Sequence, residues 1–321
     1  MLESPSLFGY FIGAVQALTL VVLAPLFTGI MRKVKSRTQK RIGASVLQPY
    51  YDLAKLNRKD EVVSDQSSWI FRFAPIVILT STATAAVFVP AFLPSSPFGI
   101  AGDILVVLGL FALARFFTIL AGLDVASSFG GLGASREMTI SAIVEPALFL
   151  TIFVVSLNLG GTNLSTIVSA SSAQFASGVI ILPSMLFALI AFFVIMMAET
   201  GRIPFDNPAT HLELTMIHEA MVLEYSGRSL AMIQLSQSIK LAVLMTIFVN
   251  IFVPAGMSTA AGGAYAAVGV VVFVVKLALV AAMVAFTETR VAKWRFFRLP
   301  DLLAVAIASS MLGIIYFYFW R

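Results

Sequence analysis

The sequence predicts an all-α polytopic membrane protein with eight transmembrane helices, an interfacial amphipathic helix and a helical cytoplasmic loop. The chain of 321 residues is 59% hydrophobic and 12% charged, with a mean hydropathy of +0.96. A soluble domain carries about 25% charged residues. Apolar runs long enough to cross a ~30 Å hydrocarbon core recur along the chain, at 7–31, 70–93, 101–121, 137–158, 177–198, 229–253, 266–288 and 301–320.

The distribution of positive charge supports an even number of spans. Seventeen of the 21 basic residues fall in alternate connections, most densely in the segment after the first run. Because cytoplasmic loops carry the excess of Lys and Arg, we expect both termini outside and these connections in the cytoplasm of a cytoplasmic-membrane protein. This placement explains the net charge of +5 without nucleic acid. The first run is too long for a cleavable signal peptide.

The chain reads as a single membrane domain, 1–321, with one notable loop at 32–69 and another at 199–228. In the first loop, apolar residues recur with helical spacing from Val46 to Ala54 and polar residues lie on the other side. This pattern predicts an amphipathic helix lying in the membrane interface, although a plain surface helix fits the same spacing. The connections on the outer side, including 160–177, are short, small and polar, and we expect loops there.

The fourth span carries two acids on one side of a helix. Glu137 and Glu145 are eight residues apart, and Pro146 follows the second. A proline inside a transmembrane helix frees a carbonyl and favours a kink. The glycine-rich segment before Glu137 matches no phosphate-binding motif, so we expect a flexible turn before a capped helix.

Cations also fall inside the predicted spans. Arg115, Lys240 and Lys276 lie inside apolar runs, the two lysines near the middles. A charge at such a depth costs a few kcal/mol or more and usually faces a protein interior or a water path. Two interpretations are open: structural ion pairs between helices, or a hydrated ion route. On the second, we expect Glu145, Lys240 and Lys276 to meet inside the bundle.

The loop at 199–228 concentrates titratable groups. Asn207 and Pro208 are typical of a helix start, and we expect that helix to continue to Glu224. Clustered acids have raised, coupled pKa values, so the loop is a candidate for proton exchange, although Arg202 and Arg228 could simply pair with a solvated acidic loop. It holds both histidines, His211 and His218, and five of the 16 acidic residues: Glu199, Asp206, Glu213, Glu219 and Glu224.

The chain contains no cysteine. Disulfides, thiolate-held iron–sulfur clusters and cysteine zinc sites are therefore excluded from it. With two histidines only, a transition-metal site built from this chain is not expected either. Any redox metal is expected in a partner subunit.

Three motifs resemble subunit 1 of respiratory complex I and the matching subunit of membrane-bound [NiFe] hydrogenases. The central loop reads Ala-Glu-x-x-Arg-x-Pro-Phe-Asp from Ala198 and later Glu-Tyr-Ser-Gly from Glu224. The continuation Thr-His-Leu-Glu-Leu-Thr-Met-Ile-His-Glu-Ala-Met and the segment Ser-x-Phe-Gly-Gly-x-Gly-x-Ser-Arg-Glu are similar to the hydrogenase branch, of the formate hydrogenlyase and hydrogenase-4 type. The first loop resembles the interfacial helix of the complex I subunit.

The resemblance implies an eight-span anchor that docks a soluble arm and couples its redox chemistry to ion translocation. The implied partners are the hydrogenase large and small subunits, an iron–sulfur subunit, antiporter-like membrane subunits and lipid, with iron–sulfur clusters and the NiFe centre in those partners. By motif, the resemblance places Glu199, Arg202 and Asp206 in the redox-facing loop and matches Glu213 and Glu145 to acids of the family's proton path. Together with the residues above, we expect an arm-docking set of Arg202, His211, His218 and Arg228. We expect a proton-path set of Glu137, Glu145, Glu199, Asp206, Glu213, Glu219, Glu224, Lys240 and Lys276.

Two other functions stay open on sequence grounds. The chain could be the quinone-chamber subunit of a complex I-like dehydrogenase, but His211 stands where that subunit usually has a second acid, two residues before Glu213. It could also be a stand-alone secondary transporter, although the sequence has no inverted repeat and no matched pair of broken helices.

Overall fold

The computed structural model describes residues 7–93, 102–179, 181–206, 216–256 and 263–319. The elements of this part of the chain are helices joined by loops, without strands. A short 3-10 helix, Phe296–Arg298, precedes the last α-helix. The α-helices in chain order are α1 Leu7–Thr38, α2 Gln48–Asn57, α3 Trp69–Phe88, α4 Ile104–Asp124, α5 Ser128–Leu159, α6 Leu164–Ala176, α7 Pro183–Glu199, α8 His218–Val222, α9 Gly227–Phe252, α10 Gly263–Arg290 and α11 Leu299–Phe319.

Seven of these helices are long and apolar enough to cross a membrane: α1, α3, α4, α5, α9, α10 and α11. The helix within the predicted fifth span is α7, which begins at Pro183 rather than near residue 177 and has 17 residues. Helix α9 is central to the bundle, since 78% of its apolar window is buried against 28–44% for the other six. The expected all-α membrane architecture is therefore confirmed, and one predicted span is shorter than the rest.

The end of the bundle formed by residues 39–68, 200–206, 216–228 and 291–298 is called the loop face below. Helix α2 lies here, within the predicted amphipathic segment, and packs on α1: the Tyr50 hydroxyl donates to the Val22 carbonyl at 2.6 Å. Ser226 joins the first loop to the start of α9, because its Oγ accepts from the Val62 amide at 2.8 Å. The two loops singled out in the sequence thus meet on one face.

The opposite face contains a helix where the sequence predicted a loop. Helix α6, Leu164–Ala176, begins after Asn163, whose side chain accepts from the amides of Ser165 and Thr166. The Ser171 hydroxyl donates to the Ile251 carbonyl at 2.7 Å, which fastens α6 to α9. The prediction of a loop was wrong because small polar residues are compatible with a helix once it is capped and packed.

Helix α5 begins earlier than predicted. It starts at Ser128, so the glycine-rich segment is its first two turns and not a flexible turn. The glycines are explained by close packing: a Cβ on Gly130 would lie 2.4 Å from the Gly122 carbonyl oxygen of α4, and a Cβ on Gly133 would lie 2.9 Å from Ala220 of α8. Three helices approach one another here because those side chains are absent.

A pair of alanine substitutions tests this packing. Gly130→Ala places a methyl group against backbone, and we expect it to destabilise the protein by about 1–3 kcal/mol. Gly131→Ala has nothing within 4 Å of the new Cβ, so we expect a stabilisation of about 0.5–1 kcal/mol from helix propensity. Thermal unfolding in one detergent measures both, and equal melting temperatures would contradict the packing account.

Candidate functional site

A buried guanidinium stands at the centre of a cluster of carboxylates. Arg115 lies in α4, nine residues or about 14 Å before its end at Asp124. Its Nη1 contacts Glu145 Oε1 at 2.7 Å and its Nε lies 3.5 Å from Glu137 Oε1, so both acids of α5 face it. Its Nη2 contacts Glu199 at the end of α7. One cation thus holds three carboxylates from two further helices.

A second cation completes this part of the cluster. Lys240 lies near the middle of α9, and its Nζ contacts Glu199 Oε2 at 2.7 Å. The Glu199 side chain is only 3% exposed, so both carboxylate oxygens are held by cations away from solvent. Because Arg115 and Lys240 lie well inside their helices, α7 ends at their depth and not at the level of the other helix ends.

The shortness of α7 has a direct consequence for the chain that follows. Residues 200–206 turn back beneath the helix, and Gly201, Ile203, Phe205 and Asp206 are all buried. Within this turn the Arg202 amide donates to the Met197 carbonyl at 2.9 Å, and the Asp206 amide donates to the Arg202 carbonyl at 3.1 Å. Irregular backbone at such depth is tolerated only where protein surrounds it. The neighbouring helices supply that surrounding here.

Asp206 organises the loop side of the cluster. Its Oδ2 accepts from the amides of Ile217 and His218, at 3.0 and 3.1 Å, and so anchors the start of α8. Its Oδ1 accepts from Lys293 Nζ at 3.1 Å. With a side chain only 2% exposed, Asp206 joins α8 to the segment between α10 and α11.

His218 connects the two halves of the cluster. Its Nε2 lies 3.3 Å from Glu137 Oε2, and its Nδ1 lies 3.9 Å from Asp206 Oδ2. Gly201 lies against this ring: it has φ +58, and a Cβ there would be 2.8 Å from His218 Nδ1. A continuous series of charged contacts therefore runs from Glu145, near the middle of α5, to Lys293 on the loop face. This series is called the main cluster below, and it consists of Arg115, Glu137, Glu145, Glu199, Asp206, His218, Lys240 and Lys293.

Two groups of α8 have shifted pKa values. Burial alone lowers the pKa of the His218 imidazole, but the Glu137 and Asp206 carboxylates outweigh it and raise that pKa above its ordinary value. Burial raises the pKa of the neighbouring Glu219 carboxyl. The protonated forms of both residues are thus favoured next to the cluster.

A smaller buried site lies beside the first. The Glu288 side chain, on α10, is 1% exposed and contacts Lys35 of α1 at 3.3 Å. Arg202 Nη1 lies 3.6 Å from its other oxygen. The central loop is therefore fastened to α1 and α10 as well as to the main cluster.

A cavity of about 140 Å³ opens on the main cluster. Arg115, Glu145 and Glu199 form its polar wall, and the other lining residues, from Leu105 to Leu244, are apolar. The liquid volume of one water is about 30 Å³, so the cavity has room for a few waters beside the carboxylates. The Glu145 side chain is 43% exposed, so this end of the cluster is reached from the outside of the bundle.

The family model described as NADH dehydrogenase matches residues 12–318 of this chain. The chain belongs to the NADH dehydrogenase family. It is 35% identical to hydrogenase-4 component C of Escherichia coli K12, over 88% of this chain and 87% of that protein. It is also 35% identical to formate hydrogenlyase subunit 4 of Escherichia coli K12, over 94% of this chain and 96% of that protein. It is 30% identical to NADH-quinone oxidoreductase subunit 8 of Rhodothermus marinus, over 69% of this chain and 66% of that protein.

A solved structure has the same fold. It is a chain of the membrane-bound sulfane sulfur reductase, an archaeal respiratory membrane complex, and it superposes with a TM-score of 0.81 over 95% of this chain and 99% of that one. The sequence identity is 23%, so this comparison concerns the fold alone. Membership of the NADH dehydrogenase family and a shared helical architecture are thus independently established.

The structure gathers five of the candidate residues into the main cluster: Glu137, Glu145, Glu199, Asp206 and Lys240. His218, predicted as an arm-docking residue, lies inside the cluster too. Glu224 and Arg228 are exposed on the loop face. Glu213 and His211, together with residues 208–215 of the helix predicted from Pro208 to Glu224, lie outside the described residues. In the described remainder, α8 spans His218–Val222 and ends before Glu224.

Lys276 corrects one expectation. It was expected to meet Glu145 and Lys240, but its Nζ donates to the Val253 carbonyl, beyond the far end of α9, at 3.1 Å. Helical depth explains the difference. Val253 immediately follows α9 on the side away from the loop face, whereas Lys240 lies 12 residues before the end of that helix at Phe252. Lys240 and Lys276 therefore make their contacts at different depths of the bundle.

Sequence analysis did not place four of the residues that hold these sites together. Arg115 was flagged only as a charge within a span. No sequence pattern marked Lys35, Lys293 or Glu288 as members of a site. Each lies near a helix end, where charged residues are common. No group of three or more His, Asp or Glu side chains among the described residues could hold a metal ion, so the site is organised by ion pairs.

Loss of the central cation tests this arrangement. Arg115→Gln removes the positive charge that Glu137, Glu145 and Glu199 share. Breaking a buried ion pair lowers the free energy of unfolding by about 3–5 kcal/mol. We expect a large fall in the melting temperature of the purified protein. The matched control is Arg72→Gln, since Arg72 is exposed at the start of α3 and such substitutions change stability by about 0.5 kcal/mol or less. Equal losses in the two variants would refute the central role of Arg115.

Proposed function

We propose that this chain is the membrane anchor and ion-translocation coupling subunit of a membrane-bound [NiFe] hydrogenase complex. The observation that carries the proposal is the charged series from Glu145, within the bundle, to Asp206 and Lys293 on the loop face. Such a series is suited to transmitting a change of charge on the loop face into the membrane interior. Similarity along 88% and 94% of the chain to hydrogenase-4 component C and formate hydrogenlyase subunit 4 supports the hydrogenase assignment.

In this proposal the protein has eight spans, with the loop face in the cytoplasm and both termini outside. Helix α7 is counted as the fifth of the eight spans, since its 17 residues are at the short end of the range that crosses a bilayer. An even number of spans is supported by the basic residues, which fall in alternate connections. Helix α2 lies in the membrane interface, with Leu47 and Tyr51 half-exposed or more beside the basic first loop.

The loop face is the proposed docking site of the soluble arm. Arg228 is exposed there and is free to reach partner carboxylates, while Arg202 is largely committed to Glu288. In the proposal, His211 adds to this surface. The hydrogenase large and small subunits and an iron–sulfur subunit dock here and carry the NiFe centre and clusters, and antiporter-like subunits contact the sides of the bundle.

A role as the quinone-chamber subunit of a complex I-like dehydrogenase is the second candidate. This second role is favoured by the 30% identity of the chain to NADH-quinone oxidoreductase subunit 8 of Rhodothermus marinus. The hydrogenase-type relatives match more of the chain and at higher identity. Inhibition of the intact complex by quinone-site ligands would favour this second candidate.

Purification of the tagged chain from its native membranes in mild detergent tests the proposal. We expect nickel, iron and the hydrogenase subunits to be recovered with it in fixed ratio, measured by metal analysis and mass spectrometry. Recovery of the chain alone, still active in ion transport, would instead identify a stand-alone secondary transporter and overturn the proposal.

A carboxylate-to-amide substitution tests the coupling role. Glu145→Gln keeps the shape of the side chain and its reach to Arg115, while it removes the charge and the titratable proton. We expect the complex to assemble and ion translocation in vesicles, per hydrogen evolved, to fall at least tenfold. Asp65→Asn, in the exposed part of the first loop, is the matched control and should translocate normally. Normal translocation by Glu145→Gln would contradict a role for this residue.

A further inference from the structure

Among the described residues, His218 joins the two halves of the main cluster. On one side, Glu137 belongs with Arg115, Glu145, Glu199 and Lys240. On the other, Asp206 belongs with Lys293. The imidazole touches both acids through different ring nitrogens, Nε2 toward Glu137 at 3.3 Å and Nδ1 toward Asp206 at 3.9 Å. A proton that passes between the halves along the described side chains therefore passes through this ring.

The charges around the ring favour a proton on it. Four carboxylates, Glu137, Glu145, Glu199 and Asp206, face three basic side chains, Arg115, Lys240 and Lys293. The neighbouring site adds two more basic side chains, Lys35 and Arg202, around Glu288. His218 lies directly between two of the carboxylates, Glu137 and Asp206. A positive charge on the imidazole is therefore stabilised from both sides.

The surroundings of the ring fit a group that changes its protonation state. Nδ1 is buried and has no hydrogen-bond partner among the described residues, although it faces Asp206. The His218 side chain is 25% exposed, against 5% for Glu137 and 2% for Asp206. The imidazole is therefore the most exposed of these three side chains, although its Nδ1 is itself buried. Gly201 packs directly against Nδ1, and only a residue without a side chain allows that approach.

The other charged groups around the ring favour its protonated form on balance. Glu137 faces it from α5 and Asp206 from the chain after α7, and both raise its pKa. Burial and Lys240 of α9 oppose them. Glu219, the next residue of α8, has a pKa raised by burial and is a ready proton donor or acceptor beside the ring.

We propose that His218 is the proton-exchange residue between the loop face and the carboxylates inside the bundle. The proposal deepens the proposed function and depends on it. A proton from the loop face binds Nδ1 and gives the imidazolium, which then releases its Nε2 proton to Glu137 Oε2. The neutral ring is left protonated on Nδ1 and must turn or exchange that proton before the next transfer. No covalent bond other than N–H and O–H bonds is made or broken.

Two substitutions in the assembled complex separate this role from a structural one. His218→Gln keeps hydrogen bonding but cannot bind a proton at neutral pH, and His218→Lys supplies a fixed positive charge between the same carboxylates. If His218 exchanges protons, hydrogen-linked ion translocation in vesicles falls at least tenfold in both variants. If His218 is only a counter-charge, the lysine restores translocation, and that result overturns the proposal. Wild-type translocation by His218→Gln overturns it as well.

A third variant retains the imidazole and tests its titration directly. Asp206→Asn keeps an oxygen for the amides of Ile217 and His218 but removes a carboxylate that raises the His218 pKa. The wild-type ring stays protonated to higher pH, so the alkaline fall in translocation rate should move to lower pH in the variant. An unchanged pH profile overturns the proposal even if the His218 variants fail to assemble.

The wild-type vesicles distinguish failure of this proposal from failure of the proposed function. If wild-type complex shows no hydrogen-linked translocation, the coupling function itself is refuted and the role of His218 falls with it. If wild type translocates and the three variants behave like it, only the assignment to His218 fails. Asp65→Asn vesicles serve as the matched control throughout.

Discussion

The buried contact between Arg115 and three carboxylates is the constraint on which the structure depends. A guanidinium inside an apolar bundle is tolerated only when its charge is compensated, and Glu137, Glu145 and Glu199 supply that compensation from α5 and α7. These contacts fix how α4, α5 and α7 are placed relative to one another. Helix α7 ends deep in the bundle, at the level where Glu199 contacts Arg115 and Lys240.

The central loop follows from that early helix end. Because α7 stops at the depth of Arg115, the chain must turn back within the protein, and Asp206 then organises the turn through the amides of α8. The glycines of α4 and α5 let α8 pack closely enough for His218 to reach Glu137. Packing and charge thus cooperate to connect the bundle interior with the loop face.

Hydropathy and charge placement were enough to predict the all-α membrane fold, because a bilayer imposes length and polarity on every span. The same rules misjudged local features. Glycines before Glu137 suggested a flexible turn, yet they are helical because neighbouring backbones occupy the space of their side chains. Helix α6 was missed because its small and polar residues are also typical of loops.

The candidate site was partly predictable for a similar reason. Helical spacing places Glu137 and Glu145 along one side of α5, and the density of acids singles out Glu199 and Asp206. Spacing along one helix cannot reveal which neighbour faces it, so Arg115 and Glu288 acquired their partners only in three dimensions. The roles of Glu213 and His211 remain predictions, since both lie outside the described residues.

A double-mutant cycle tests most directly whether the cluster acts as one connected unit. The cycle combines Glu145→Gln, at the inner end, with Asp206→Asn, at the loop end, and measures the rate of ion translocation in vesicles. Residues more than about 7–10 Å apart with no shared partners normally give additive effects. The account predicts that the double variant loses far less than the product of the two single effects, because both changes act on the same path. Independent, multiplicative losses would contradict it.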